Sequence, residues 1–144
     1  MTSSSGLSID PISSRAGSFF DYNRDGYLDL FVINYYFGDL NILYRNNGDG
    51  TFTDITLVAG VDGNDEKNPL VVSTFDYNND GWQDIYVGND RNQGNYLYKN
   101  MHNGTFLDVS EESNAGIYVN SMAISTHDYQ NDGDLDVYVT NIDE

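Results

Sequence analysis

The chain has 144 residues, a length that suits one domain, and its 23 acidic against 6 basic side chains leave a formal net charge of -17. That balance argues against nucleic-acid binding, which draws on basic patches, and the absence of cysteine excludes disulfide staples. No run approaches the ~20 apolar residues of a membrane helix, so no membrane insertion is expected, while 14% aromatic residues argue against a disordered chain.

In chain order, residues 1–6 carry neither the basic n-region nor the apolar h-region of a signal peptide, so none is expected in this chain. A first strand is predicted over residues 17–20, and it runs into the nine residues 21–29, Asp-Tyr-Asn-Arg-Asp-Gly-Tyr-Leu-Asp. A second strand follows over 28–34, β-branched and aromatic and too short for a helix. A polar linker over 35–40 leads to a third strand at 42–45. A Gly/Asn turn at 46–50 then closes a hairpin onto a fourth strand at 51–56, with Gly and Asn supplying the positive φ that such turns require. The same order returns as a strand at 71–75, a loop at 76–84, a strand at 84–89, a linker at 90–94, a strand at 96–99, a turn at 100–104 and a strand at 105–110. It begins once more as a strand at 121–127, a loop at 128–136 and a strand at 135–141. No amphipathic helix is predicted; at most residues 55–59 and 109–115 add a helical turn.

Phrases outside the loops recur in phase. Asn-Ile-Leu-Tyr-Arg-Asn at 41–46 matches Asn-Tyr-Leu-Tyr-Lys-Asn at 95–100, and Gly-Thr-Phe-Thr-Asp-Ile at 50–55 matches Gly-Thr-Phe-Leu-Asp-Val at 104–109. The repeats span 6–59, 60–115 and a truncated 116–144 within a single segment, 1–144. Four antiparallel strands repeated at this period are the signature of a β-propeller blade. The predicted fold is therefore all-β, with about two full blades plus half of a third in an incomplete ring. Leu30, Phe31, Val32 and Ile33 are apolar at successive positions, as expected where blades pack on both faces. Rings need about four to eight blades, so the sequence reads as a piece of a longer reading frame. Its open edges are candidate surfaces for self-association.

The loops carry the chemistry. Numbered from the first Asp, oxygen-bearing side chains stand at positions 1, 3, 5 and 9, with Gly at 6. Hard cations such as Ca²⁺ take about six to eight oxygen ligands at roughly 2.3–2.6 Å. The predicted set in loop one is Asp21, Asn23, Asp25, the Tyr27 carbonyl and Asp29. In loop two it is Asp76, Asn78, Asp80, the Trp82 carbonyl and Asp84, and in loop three Asp128, Gln130, Asp132, the Asp134 carbonyl and Asp136. Up to three Ca²⁺ are expected. An EF-hand would need a Glu at position 12, where Val32, Val87 and Val139 stand.

Tyr22, Tyr77 and Tyr129 at position 2 are expected to pack beside the loops, and Trp82 to be a surface or inter-blade aromatic. His127 aligns with Phe20 and Phe75, which predicts a structural role; His102 falls in a hairpin turn and is expected to be solvated. No catalytic residue is identified. Ser3, Ser4, Ser5, Ser13 and Ser14 have no nucleophile context, and three equivalent acid clusters are unlike one glycosidase centre. The linker at 35–40, with its counterpart at 91–94, is the stretch least shared between repeats and the candidate for partner contact.

The Asp-x-Asn-x-Asp-Gly-x-x-Asp loops, with the phrases at 43–55 and 59–61, resemble the FG-GAP-like, VCBS-type repeat family, to which integrin α-subunit propellers also belong. They are most similar to its subgroup of cartilage acidic protein and ASPIC/UnbV-type repeats. The resemblance implies calcium held between strands one and two of each blade. It departs at Gln130, and no literal Phe-Gly-Gly-Ala-Pro phrase is present. It further implies a secreted or cell-surface segment, extracellular or periplasmic, that binds an unknown protein or glycan in adhesion. The alternatives are part of a propeller-containing polysaccharide-degrading enzyme and a calcium-dependent self-assembly element.

Overall fold

The computed structural model describes residues 5–7, 14–36, 38–63 and 66–142; Ser3, Ser4, Ser13 and Phe37 lie outside the described residues. The first antiparallel sheet has the order β1 (Ser14–Phe20), β2 (Asp29–Asn34), β3 (Ile42–Asn46), β4 (Phe52–Asp54), and a short helix, α1 (Thr56–Ala59), follows it. The second sheet has β5 (Pro69–Phe75), β6 (Asp84–Asn89), β8 (Tyr96–Asn100) and β9 (Phe106–Asp108) in that order, with β7 (Gln93–Gly94) outside it. β7 pairs with β10 (Tyr118–Val119), and β11 (Ser121–His127) pairs with β12 (Asp136–Asn141). The two four-stranded sheets are propeller-type blades, β11 and β12 are the first two strands of a third, and the described residues close no ring.

The three inner hairpins share one register. Phe20 faces Asp29, Phe75 faces Asp84 and His127 faces Asp136, and each hairpin carries a bulge six or so residues upstream, at Ser14/Ala16, Pro69/Val71 and Ser121/Ala123. A bulge adds local twist, and its recurrence at one register position is the structural form of the sequence repeat.

Successive apolar residues are explained by two cores. On β6, Ile85 and Val87 face a core shared with Phe20, Phe31, Ile33 and Leu43 of the first blade, while Tyr86 faces a second core with Phe75, Leu97 and Val109, toward Ile124 and Val139. Adjacent strand residues point to opposite faces, so a strand sandwiched between two blades needs apolar side chains on both. All six β6 residues are buried, whereas β12 is largely exposed. Burying each of the large side chains contributes about 1.5–3 kcal/mol.

Backbone fit tightens the inter-blade contact. A Cβ on Gly88 of β6 would sit 2.6 Å from Val71 Cγ1 and 2.7 Å from Ser121 Cβ. Ser18 Oγ and Thr74 Oγ1 are 2.9 Å apart between β1 and β5, and Asn100 Nδ2 donates to the Tyr22 carbonyl at 2.8 Å.

Several expectations change. Among the described residues helix formation is confined to α1, which Gly60 ends in the left-handed region at φ 73° with its N–H on the Thr56 carbonyl. Residues 109–115 form turns instead, with Ser113 Oγ donating to the Val109 carbonyl and Asn114 at φ 57°. The fourth strands are shorter than predicted. The β7–β10 pair was not foreseen; it needs Gly94, where a Cβ would lie 3.2 Å from Tyr118 Cζ. His127 is exposed although its counterparts Phe20 and Phe75 are buried, because no described strand covers that side of β11. Tyr22 is buried and Tyr77 partly so, but Tyr129 is 73% exposed for the same reason.

Candidate metal centre

Each loop is wound by its own first aspartate. Asp21 accepts the Asp25 and Gly26 N–H groups at 3.1 and 2.9 Å, Asp76 those of Asp80 and Gly81 at 3.1 and 2.7 Å, and Asp128 those of Asp132 and Gly133 at 3.1 and 2.9 Å. The fifth residue then accepts the seventh residue's N–H, Asp25 from Tyr27 at 2.9 Å, Asp80 from Trp82 at 3.0 Å and Asp132 from Asp134 at 3.1 Å. The glycine at position 6 has φ of 88°, 85° and 95° in the three loops, a conformation that a residue without Cβ enters cheaply.

The ninth residue fastens the loop to its blade. Asp29 and Asp84 are fully buried and accept the second residue's N–H, from Tyr22 at 3.1 Å and Tyr77 at 3.0 Å. Their other oxygens accept N–H groups at the end of the third strand, from Asn46 at 2.8 Å and Asn100 at 2.7 Å. Burial pushes both carboxyls up to about 6; the backbone N–H donors oppose the rise, and the neighbouring loop carboxylates add to it. Asp136 keeps the Tyr129 N–H at 3.2 Å but is partly exposed.

Position 3 separates the third loop from the others. Asn23 and Asn78 each accept the fifth residue's N–H and donate Nδ2 to its carboxylate, at 2.8 and 2.9 Å. Gln130, one methylene longer, instead points Nε2 at Asp136 Oδ1, 3.4 Å away.

The donors are all oxygens, a set that suits a hard cation and not Zn²⁺. Among the described residues, no group of three or more His, Cys, Asp or Glu side chains stands positioned to hold a metal ion. The residues that would hold a cation are Asp21, Asn23, Asp25 and Asp29 in loop one, Asp76, Asn78, Asp80 and Asp84 in loop two, and Asp128, Gln130, Asp132 and Asp136 in loop three, and the loop hydrogen bonds place each set on one turn of chain. The raised Asp29 and Asp84 carboxyls reflect burial first, with the neighbouring loop carboxylates a smaller contribution of the kind a divalent ion would offset.

Two contacts at the loops escaped the sequence reading. His102 is not simply solvated: its Nε2 lies 2.9 Å from Asp80 Oδ2 and its ring stacks on Trp82, with centroids 4.8 Å apart and planes 16° apart. In blade one the same hairpin turn brings Gly48 under the ring of Tyr27, so this turn abuts position 7 in both blades. Position 4 is the other case. The Arg24 guanidinium lies 5.4 Å from the Trp82 ring centroid, and Asn79 Nδ2 donates to Asp134 Oδ1 at 2.7 Å and to the Gly133 carbonyl at 3.2 Å. In both cases position 4 of one loop reaches position 7 of the next.

Among the described residues no helix is long and apolar enough to cross a membrane. The FG-GAP-like repeat pattern matches residues 21–87 and 76–139, each window running from one aspartate loop through the strand after the next. Over 98% of its length the chain is 31% identical to cartilage acidic protein 1 of Homo sapiens, and the same identity and coverage hold for the Mus musculus and Xenopus tropicalis proteins. It spans 20% of the length of these relatives. Three aspartate loops in one register, each joining the inner strands of a blade, agree with these matches: the chain belongs to the FG-GAP-like repeat family.

Proposed function

We propose that the chain is a calcium-binding propeller segment of a secreted or cell-surface protein, serving protein or glycan binding in adhesion. One observation carries the reading: three loops repeat one hydrogen-bonded winding around an oxygen-only donor set. The relatives are named for cartilage and for acidity, which supports an extracellular setting and matches the net charge of -17. Extracellular calcium modules bind at about 10⁻⁴–10⁻³ M. The role is scaffolding, with Ca²⁺ holding the blade hairpins and the variable loops left free for a partner. Isothermal titration of the metal-free chain tests it. Binding of up to three Ca²⁺, with Asp25→Ala and Asp80→Ala each removing one site, supports the reading; no heat and no saturable binding contradicts it.

A further inference from the structure

The blade ends away from the calcium-type loops carry a second constellation. Arg15 opens β1, Tyr35 follows β2 and Arg91 follows β6, so three segments from two blades meet at the end opposite the loops. The Arg15 guanidinium lies 4.5 Å from the Tyr35 ring centroid and that of Arg91 5.9 Å from it. Two of the chain's 6 basic residues thus converge on one ring in a chain of net charge -17. Among the described residues the one ion pair is His102–Asp80, and neither arginine forms one with a described carboxylate. Both arginines are exposed.

The platform is braced by hydrogen bonds. Tyr35 donates its hydroxyl to Asp90 Oδ2 at 3.0 Å, and buried Asn68 holds the Tyr35 carbonyl through Nδ2 at 2.7 Å while accepting the Asp90 N–H at 2.8 Å. Arg91 and Asn92 have φ of 56° and 54°, and the Gln93 N–H meets the Asp90 carbonyl at 3.1 Å. These are the features of a type I′ turn, whose central positions favour Asn, Asp and Gly. Arg at the first of them is held in a costly conformation, and such strain gathers where a side chain must be presented. Tyr36 stands edge-on to Tyr35 at 5.7 Å and is 60% exposed. Beside Arg91 a groove of about 500 Å³ is lined by Asn92, Asn120, Asn141 and Tyr118.

We propose that this face binds an acidic glycan. Arg15 and Arg91 take a carboxylate or sulfate, as guanidinium forks do; Tyr36 offers a ring for a sugar face, and the amide-lined groove meets hydroxyls. An acidic peptide would use the arginines but not the aromatic and amide surfaces beside them. The inference names the ligand class for the binding role proposed above and rests on that role. A chain this acidic repels polyanions at long range, so measured binding reports a local site.

The test is binding of the 144-residue chain, in saturating Ca²⁺ at near-physiological salt, to oligogalacturonate, dextran sulfate, neutral dextran and a poly-glutamate of matched length. Saturable binding to oligogalacturonate or dextran sulfate and not to dextran is expected, and which of the two binds tells carboxylate from sulfate. Arg15→Gln and Arg91→Gln should each weaken it about tenfold, and Tyr36→Ala should weaken it as well, with melting temperatures unchanged. No binding to either polyanion, wild-type affinity retained in both arginine variants, or poly-glutamate bound as tightly as the glycan overturns the inference. Calcium-induced stabilisation, followed in the same samples, reports separately on the proposed calcium role.

Discussion

Asn79 Nδ2 lies 2.7 Å from Asp134 Oδ1, so the fourth residue of the second loop holds the seventh residue of the third. Asn79 reaches across because its backbone sits at φ 58°, turning the side chain out of its own loop. Arg24, at φ 59°, makes the corresponding approach to Trp82. Neighbouring loops are thus in direct contact, and a change in one is felt by the next. Asn79→Ala should weaken Ca²⁺ binding at loop three several-fold, since an exposed hydrogen bond to a charged group is worth on the order of 1 kcal/mol, and leave loop one unaffected. Loop-resolved NMR titration measures both.

Gln130 breaks the pattern of Asn23 and Asn78 by donating toward Asp136 in place of bracing the fifth residue. Loop three should therefore bind Ca²⁺ most weakly of the three, and Gln130→Asn should strengthen it. Chains with one intact loop at a time, titrated separately, give the ranking. A loop three that binds tightest, or a Gln130→Asn chain with unchanged affinity, removes position 3 as the cause.

Gly88→Ala should destabilise the chain by about 1–3 kcal/mol, because the added Cβ has neither room nor a flexible neighbour to move aside. Equilibrium urea unfolding, with an unchanged slope, is the appropriate measure.

Asn100→Ala should cost about 1–3 kcal/mol, since Asn100 is fully buried and its removal leaves the Tyr22 carbonyl without its donor between blades. Asn46→Ala should cost less. Its Nδ2 serves the Leu28 carbonyl at an exposed position within its own blade. Comparing the two denaturation midpoints separates an inter-blade bond from a local one.

The loops and blade strands were legible because their cause is local. Asp21, Asp25 and Gly26 fold by contacts within a few residues, and Phe20 pairs with Asp29 across the same short span. The features missed depend on segments distant in sequence. The turn holding His102 folds back onto Asp80, and Gly88 is small because Ser121 presses on it from the next blade. The alignment of His127 with Phe20 and of Tyr129 with Tyr22 predicts packing, but both are exposed, because the pattern that buries Phe20 and Tyr22 works only where another blade covers it. The Arg15–Tyr35–Arg91 cluster shows the same limit. The linker that contains Tyr35 stood out as variable, but its pairing with Arg15 needed the fold.

The central claim is that a hard divalent cation completes these loops, and thermal unfolding in EDTA, in Ca²⁺ and in Zn²⁺ tests it most directly. A ligand that binds only the folded state stabilises it by about 2.7 kcal/mol per site at 100 times its dissociation constant. The account predicts a melting temperature that rises steadily with millimolar Ca²⁺, falls on chelation and is restored by Ca²⁺ but not to the same degree by Zn²⁺. A melting curve indifferent to Ca²⁺ and EDTA, or one raised equally by Zn²⁺, would contradict it.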